Sequence, residues 1–429
     1  MRLKSQSILR GAFLVFLFFV VSGCASYQDN FVKVRKNYRS GNYSEALNEL
    51  DKSALAKSGS DRLLYLLEKS QILSKLGEEK KSRRLLLEAS KLVDDLYTTS
   101  ISKGAATFVV NESVQDYAGE DYEKVAIHSM LALSFLEEGN LQGALVEARK
   151  INNRLNEINQ TYEKKNRYAE DAFARYLSGM IHEVEGNLDS AIIDYRKAVK
   201  AYGQGYSSLF NTPVPRELVQ ALYSLYLKRG RKSDASNLKK DYRDILAAFR
   251  PISDKLGELI VIHRVGDIAV KEKEEFMIPI GKEIVRFSFP IIRASRRVQA
   301  QRTGIKLEDS RFISAEIAQN LSMIAATTLE DRRGRTIVKA GARLILKSQI
   351  TQQAAKEFGP LGQIAGNIFG AVTETADTRS WTLLPEAFLV ARVALPAQKK
   401  IDAKIFTDGR LTETFDLSLK PGQIKIMVD

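Results

Sequence analysis

Six side chains in the first half of the chain are of the types that chemistry needs: Glu120, Asp121, Glu123, His128, Glu147 and Arg149. Carboxylates grouped with a histidine and an arginine can exchange protons at a glycosidic bond or hold a metal ion. The same residues also have a purely structural use. The run "GEDYEK" sets acids in a first helical turn, where the helix dipole favours negative charge, and the others suit salt bridges between helices. That structural use is the expected one. Nothing has the spacing of a Ser-His-Asp set, a phosphate loop or a zinc-protease motif. The three histidines, His128, His182 and His263, lack the cysteine or carboxylate spacing of a zinc site. No catalytic residue, no metal and no cofactor is expected.

The remaining reactive group is Cys24, the one cysteine in 429 residues. Its thiolate is the common side-chain nucleophile that takes a diacylglycerol in thioether linkage. Arg2, Lys4 and Arg10 precede an apolar run of 11 residues, Gly11 to Val21, and Ser22-Gly23 supplies small residues before the thiol. A spanning helix needs about 20 apolar residues, so this run reads as a signal. Val21-Ser22-Gly23-Cys24 resembles the lipobox of bacterial lipoproteins. The resemblance implies removal of residues 1–23 and acyl chains, palmitate among them, on Cys24. It also implies attachment to a membrane through the N-terminal lipid, each buried methylene adding about 0.8 kcal/mol. Ala25 stands where an Asp would imply inner-membrane retention. The resemblance therefore points to the bacterial cell envelope, at the inner leaflet of the outer membrane facing the periplasm.

The elements that must position these residues show themselves as repeats. "GNYSEAL" from Gly41, "GNLQGAL" from Gly139 and "GNLDSAI" from Gly186 share one pattern, with looser copies at Gly77 and Gly230. Each glycine is followed five positions later by a small residue. A glycine ends one helix in the left-handed conformation, and the small residue lets the next helix pack closely. The pattern resembles the tetratricopeptide (TPR) repeat. The glycines are 36, 62, 47 and 44 residues apart, so an insertion is expected within the longest gap, at about residues 97–121. His128 and His182 fall where such a repeat carries packing side chains. "YAGEDYEKVAIHSMLALSFLEEGNLQGALVEARKINNRL", with "ARYLSGMIHEVEGNLDSAIIDYRKAV" and "ADTRSWTLLPEAFLVARVALP", resembles a family of bacterial lipoproteins with TPR repeats, and this implies no activity. Where that family would have a Pro-Ala-Gly turn, this chain reads "PAQKK" from Pro396, which predicts a remodelled turn.

Beyond residue 250 the texture changes. "ELIVIHRV", "EIVRFSFPII", "FLVARVAL", "KIDAKIFT", "LTETFDLSL" and "GQIKIMVD" read as strands, with a hairpin at Asp408-Gly409. Helical periodicity returns over residues 313–375. The expected fold is α+β: a TPR-like α-helical solenoid over 24–250, then a smaller β-sandwich-like domain over 257–429 with a helical insertion. In that insertion Arg332, Arg335, Lys339, Arg343 and Lys347 draw a basic stripe. Gly362, Gly366 and Gly370 form a ridge that permits close helix packing, a candidate interface between helices, copies or a membrane. Trp381, the one tryptophan, is either a core anchor or an interface contact.

Formal net charge is +13; without Arg2, Lys4 and Arg10 it falls to +10. In the envelope this suits anionic lipid or a cell-wall polymer and argues against nucleic acid. The expectation is a non-enzymatic, lipid-anchored scaffold. Its stacked helices would offer a concave surface to other envelope proteins. A cell-wall or glycan-acting enzyme, or an activator of one, is the alternative, and a subunit of an oligomeric outer-membrane assembly is a third reading.

Overall fold

A computed structural model describes residues 27–103, 115–160, 162, 166–280, 283–298, 302–334 and 376–429. Cys24 and the segment holding Gly362, Gly366 and Gly370 lie outside the described residues.

Five helix pairs open the chain: α1 (Tyr27–Arg39) with α2 (Tyr43–Lys52), α3 (Arg62–Lys75) with α4 (Glu79–Lys103), α5 (Asp121–Glu137) with α6 (Leu141–Gln160), α7 (Ala172–Val184) with α8 (Leu188–Ala201), and α9 (Arg216–Lys228) with α10 (Lys232–Asp241). Gly41, Gly77, Gly139, Gly186 and Gly230 stand at the five turns with φ from +70° to +78°. The residue after each glycine donates its N–H to the carbonyl five positions before it at 2.8–2.9 Å, as in Asn140 to Phe135 and Arg231 to Tyr226. This is the bond that satisfies the last carbonyls of a helix ending in a left-handed glycine. The small residues five positions on, Ala46, Ser82, Ala144, Ala191 and Ala235, are all buried. The stretch expected as an insertion at 97–121 is helical at its start, because α4 continues to Lys103. Its far end docks on the first turns, Tyr117 N–H donating to the Ser60 carbonyl at 2.8 Å.

The strands build two four-stranded sheets and a hairpin. The first sheet has the order β10 (Ile424–Val428), β1 (Leu256–Val265), β7 (Ala387–Pro396), β6 (Glu316–Asn320), with β10 parallel to β1 and the rest antiparallel. The second has the order β5 (Phe312–Ser314), β4 (Gly304–Leu307), β8 (Ile401–Thr407), β9 (Arg410–Leu417). β2 (Lys271–Ile280) pairs with β3 (Glu283–Ile292). Asp408 and Gly409, at φ +51° and +77°, make the β8–β9 turn. Positive φ at both central residues is what a tight hairpin turn requires. The helical insertion expected over 313–375 begins later. Residues 312–314 and 316–320 are strand, the second because Ile317 and Gln319 pair along β7, and helix runs only from 321 to 334 among the described residues. At "PAQKK" the third residue, Gln398, takes φ +61°, so the turn keeps the backbone that glycine favours.

The first sheet is buried on both faces, which explains why β1 and β7 read as unbroken apolar runs. Leu259, Val261, Ala391, Val393 and Leu395 pack against Ile305, Leu307, Ala403 and Ile405 of the second sheet. Ile260, Ile262, Phe388 and Val390, on the opposite face, join the core of the helical array together with Trp381 and Ile324. The two halves of the chain therefore share a core. Burial along the helices agrees: α5 is buried on nearly every side, from Asp121 to Leu136, whereas α6 and α8 bury one stripe each.

Candidate functional site

The first helices α5 and α7 pack against the first sheet and α3 meets the segment around Trp381, and the contact is lined with charged groups that would be ruinously placed without partners. Glu120 and Glu123 begin α5 as a reciprocal capping box. Glu123 accepts from Tyr117 Oη at 2.5 Å, Tyr122 Oη at 3.1 Å, the Glu120 N–H at 3.0 Å and the Trp381 N–H at 2.7 Å. Burial and then the Glu120 charge push its carboxyl above the usual range. Glu120 meets Lys271 of β2, and Arg332 Nη1 at 2.6 Å. Burial would raise its carboxyl, but these two cations win and hold it at about 2. Asp121 pairs with Arg332 and accepts from Tyr162 Oη at 3.0 Å.

His128 and Glu147 are elsewhere, joined to each other between α5 and α6 at 2.7 Å, with Lys150 Nζ 2.8 Å from the second carboxylate oxygen. Burial raises the Glu147 carboxyl, but His128 and Lys150 bring it below the ordinary value. Arg149 projects outward and donates to His182 Nε2 at 3.4 Å. The six residues thus divide into a lock between the two halves, a bridge between two helices, and an exposed cation. They do not converge on one substrate. Arg332, the first residue of the basic stripe, is consumed in the lock; Arg335, Lys339, Arg343 and Lys347 lie outside the described residues. Among the described residues no group of three His, Cys, Asp or Glu gathers as a metal site, and no helix is long and apolar enough to cross a membrane.

The same contact uses residues that the sequence reading passed over. Glu68, in the middle of α3, accepts from the Thr382 N–H at 2.6 Å, the Thr382 hydroxyl at 2.9 Å and the Leu383 N–H at 3.0 Å. Two carboxylates on the first helices, Glu68 and Glu123, thereby hold three successive backbone amides of the segment around Trp381. Trp381 is fully buried, a core anchor between helices and sheet. Arg379 reaches Asp61 at 2.7 Å and the Gln115 carbonyl at 3.0 Å. Asp171, the N-cap of α7, accepts from the Ala174 N–H at 2.7 Å and also from Tyr168 and Gln319. Arg392 of β7 lies on the helix-facing side with Phe388 and Val390. It grips Glu183 of α7 with two bonds of 2.7 and 3.0 Å and Glu258 with a third of 2.6 Å. Tyr195 Oη completes Glu183 at 2.6 Å. Its ring lies where a Cβ on residue 179 would be, 2.3 Å from the ring, so position 179 is glycine. The signal available in the sequence was a charge set inside an apolar run: Glu68 in "LLYLLEKSQIL" and Arg392 in "FLVARVAL".

Two openings stand out among the described residues. A cleft of about 760 Å³ lies where α9, the linker at 249–256 and the start of β10 meet. Leu188, Ala221, Leu225, Phe249, Ile252 and Ile424 line it, with Arg392 and Glu183 also in its wall. Glu217 in the same wall is pushed up to about 8, by burial and then by its neighbour Glu316. A second, polar cleft of about 400 Å³ lies between α6, α7 and α8, around Arg149 and His182. Burial lowers the His182 imidazole.

No protein-family model matches the chain, and no curated protein does. Solved structures overlap with it in part. Nearly identical TPR-like repeats of a kinesin light chain-like protein from Podosopora anserina align at 15% identity and a TM-score of 0.34, over 51% of this chain and 94% of that one. MamA AMB-1 aligns at 15% identity and 0.30, over 52% and 92%. YrrB, described as a TPR protein with an unusual peptide-binding site, aligns at 14% identity and 0.30, over 51% and 86%. Overlaps this partial carry no argument about what this chain binds; the helix pairs, their glycine turns and their packing stand on their own geometry.

Proposed function

We propose that the protein is a non-enzymatic, lipid-anchored scaffold of the bacterial cell envelope, held by Cys24 at the inner leaflet of the outer membrane. In this reading it binds an extended segment of another envelope protein in the cleft beside β10. The observation that carries it is the occupied inner face. An open array offers the surface of its first helices to partners, but here the protein's own sheet and the Trp381 segment fill that surface. The partner site is therefore the cleft where the last helix pair, the linker and the sheet meet. Its apolar wall adjoins β10, which stands at the end of its sheet. An edge strand beside an apolar cleft suits an added strand, main-chain bonds supplying affinity and the pocket supplying selectivity.

The alternative, an enzyme acting on cell-wall glycan, would draw on Glu120 and Asp121. Both are committed to Lys271 and Arg332, and a carboxylate held near 2 does not deliver protons at neutral pH. Photo-crosslinkers placed at Ser224 and Ser253, which line the cleft, test the scaffold reading in intact envelopes. Both positions should capture the same discrete protein, while a probe at Lys239 on α10 should not. Absence of any adduct at both cleft positions refutes the site.

A further inference from the structure

The polar cleft between α6, α7 and α8 has a composition that packing does not explain. Its wall includes Arg149, Asn152, Arg175, Ser178, His182 and Lys197, with Asp194 the one carboxylate among the lining residues. Arg149 and Lys197 are exposed and have no carboxylate partner among the described residues. Arg175 engages Glu170 through Nε at 3.1 Å, which leaves its terminal nitrogens available.

Deeper in the cleft the orientation of the donors is fixed by what they already hold. Asn152 is 7% exposed, and its Oδ1 accepts from the Asp171 N–H at 3.2 Å. A backbone N–H demands an oxygen, so the amide cannot turn over and its NH₂ is the end left without a partner. Ser178, 4% exposed, has a hydroxyl with no partner among the described residues. Arginine only donates, so His182 Nε2 accepts from Arg149 and the ring proton sits on Nδ1. That Nδ1 is itself buried without a hydrogen-bond partner, and the two carboxylates beside the ring, Asp194 at 3.7 Å from Nε2 and Glu185 at 3.8 Å from Nδ1, both stand beyond hydrogen-bond distance. Donors and cations thus collect in one opening with few acceptors to meet them.

We infer that this cleft binds the phosphate group of a small, hydrophilic phosphate monoester. A phosphate brings about −1.5 to −2 charges and three acceptor oxygens, against one charge and two oxygens for a carboxylate, and so meets more of the waiting donors. The volume, about 400 Å³, lies in the lower part of the range of small-ligand sites, about 300–1,000 Å³, and leaves space for a short polar body. No aromatic ring lines the cleft to stack a base or a sugar. This inference does not rest on the cleft beside β10: the two sites share no lining residue.

Isothermal titration calorimetry on the full chain in neutral nanodiscs tests it, with inorganic phosphate, glycerol 3-phosphate and acetate as probes at constant ionic strength. Both phosphates should bind and acetate should bind more weakly. Arg149→Ala/Lys197→Ala should weaken phosphate binding about tenfold or more, since hydrogen bonds to charged groups are the strong ones. Ser178→Ala should cause a smaller loss, and Lys239→Ala on α10 none. Adding phosphatidic acid to the nanodiscs separates the sources of the group. Competition with glycerol 3-phosphate means that a lipid headgroup reaches the cleft, and unchanged affinity means a soluble ester. No binding of either phosphate, equal binding of acetate, or equal loss in the Lys239 control would overturn the proposal.

Discussion

Two charged regions of the same helical array contrast sharply. Along the contact with the sheets, carboxylates and cations meet in matched sets: Glu183 and Glu258 with Arg392, Glu120 with Lys271 and Arg332. In the cleft between α6 and α8, Arg149 and Lys197 pair with no carboxylate among the described residues, and the amide of Asn152 is held in place with no acceptor for its NH₂ among them. The difference teaches that charge density alone does not mark a ligand site. What marks it is the balance of donors against acceptors after the protein's own bonds are counted.

The comparison can be broken most severely at Arg392. It is 8% exposed and Glu183 6%, so Arg392→Ala strands two largely buried carboxylates. The expected loss is about 3–5 kcal/mol in denaturant unfolding. Replacing Arg392, Glu183 and Glu258 together with apolar residues of similar volume should recover most of that loss, because no buried charge is then left alone. A loss below about 1 kcal/mol for the single variant would mean that the contact does not depend on these charges.

The next effect is one of pH, and its sign differs between carboxylates. Glu120 and Asp429 are both lowered to about 2 against ordinary values of 4.5 and 3.8; burial opposes this, and Lys271 with Arg332 at one, His263 with Thr407 at the other, prevail. Their contribution is present above those ordinary values and is lost as pH falls toward 2. Glu217 runs the other way, raised from 4.5 to about 8 by burial and then by Glu316. The stability attached to its neutral form is full below about 4.5 and is lost as pH rises through about 8. Glu217→Gln should therefore raise the melting temperature at pH 9 relative to the natural chain, with the difference vanishing near pH 4. An unchanged slope between those limits, measured by thermal unfolding, would remove Glu217 from the account.

The smallest expected effect sharpens the comparison from the other side. Arg149→Ala and Lys197→Ala should each shift unfolding stability by no more than about 0.5 kcal/mol, as exposed groups outside any buried ion pair do. A larger loss would mean that the cleft is a structural contact like the seam.

Much of the helical half is legible in the sequence. A left-handed glycine followed five positions later by a small residue is a local requirement, and local requirements are written next to one another; so Gly139 with Ala144, or Gly186 with Ala191, declared a helix turn. Asp408-Gly409 declared a hairpin for the same reason. The end of helix α4 is less legible, because "YTTSISK" is poor in helix formers and yet its backbone continues as helix to Lys103. The candidate site was legible in its residue types but not in its grouping. Glu120, His128 and Arg149 lie close in sequence, yet they address three different neighbours. The spacing of charges along a helix does not say which element will face each of them.

The sequence by itself determined the repeat turns and the strand runs, each of which depends on a few adjacent residues. Only the tertiary structure decided that the array's inner face is filled by its own chain. Glu68 and Thr382 meet across 314 positions, and Arg332 and Glu120 across 212. Whether a buried carboxylate finds a donor, or an exposed arginine a carboxylate, depends on such distant pairings, and no local pattern records them.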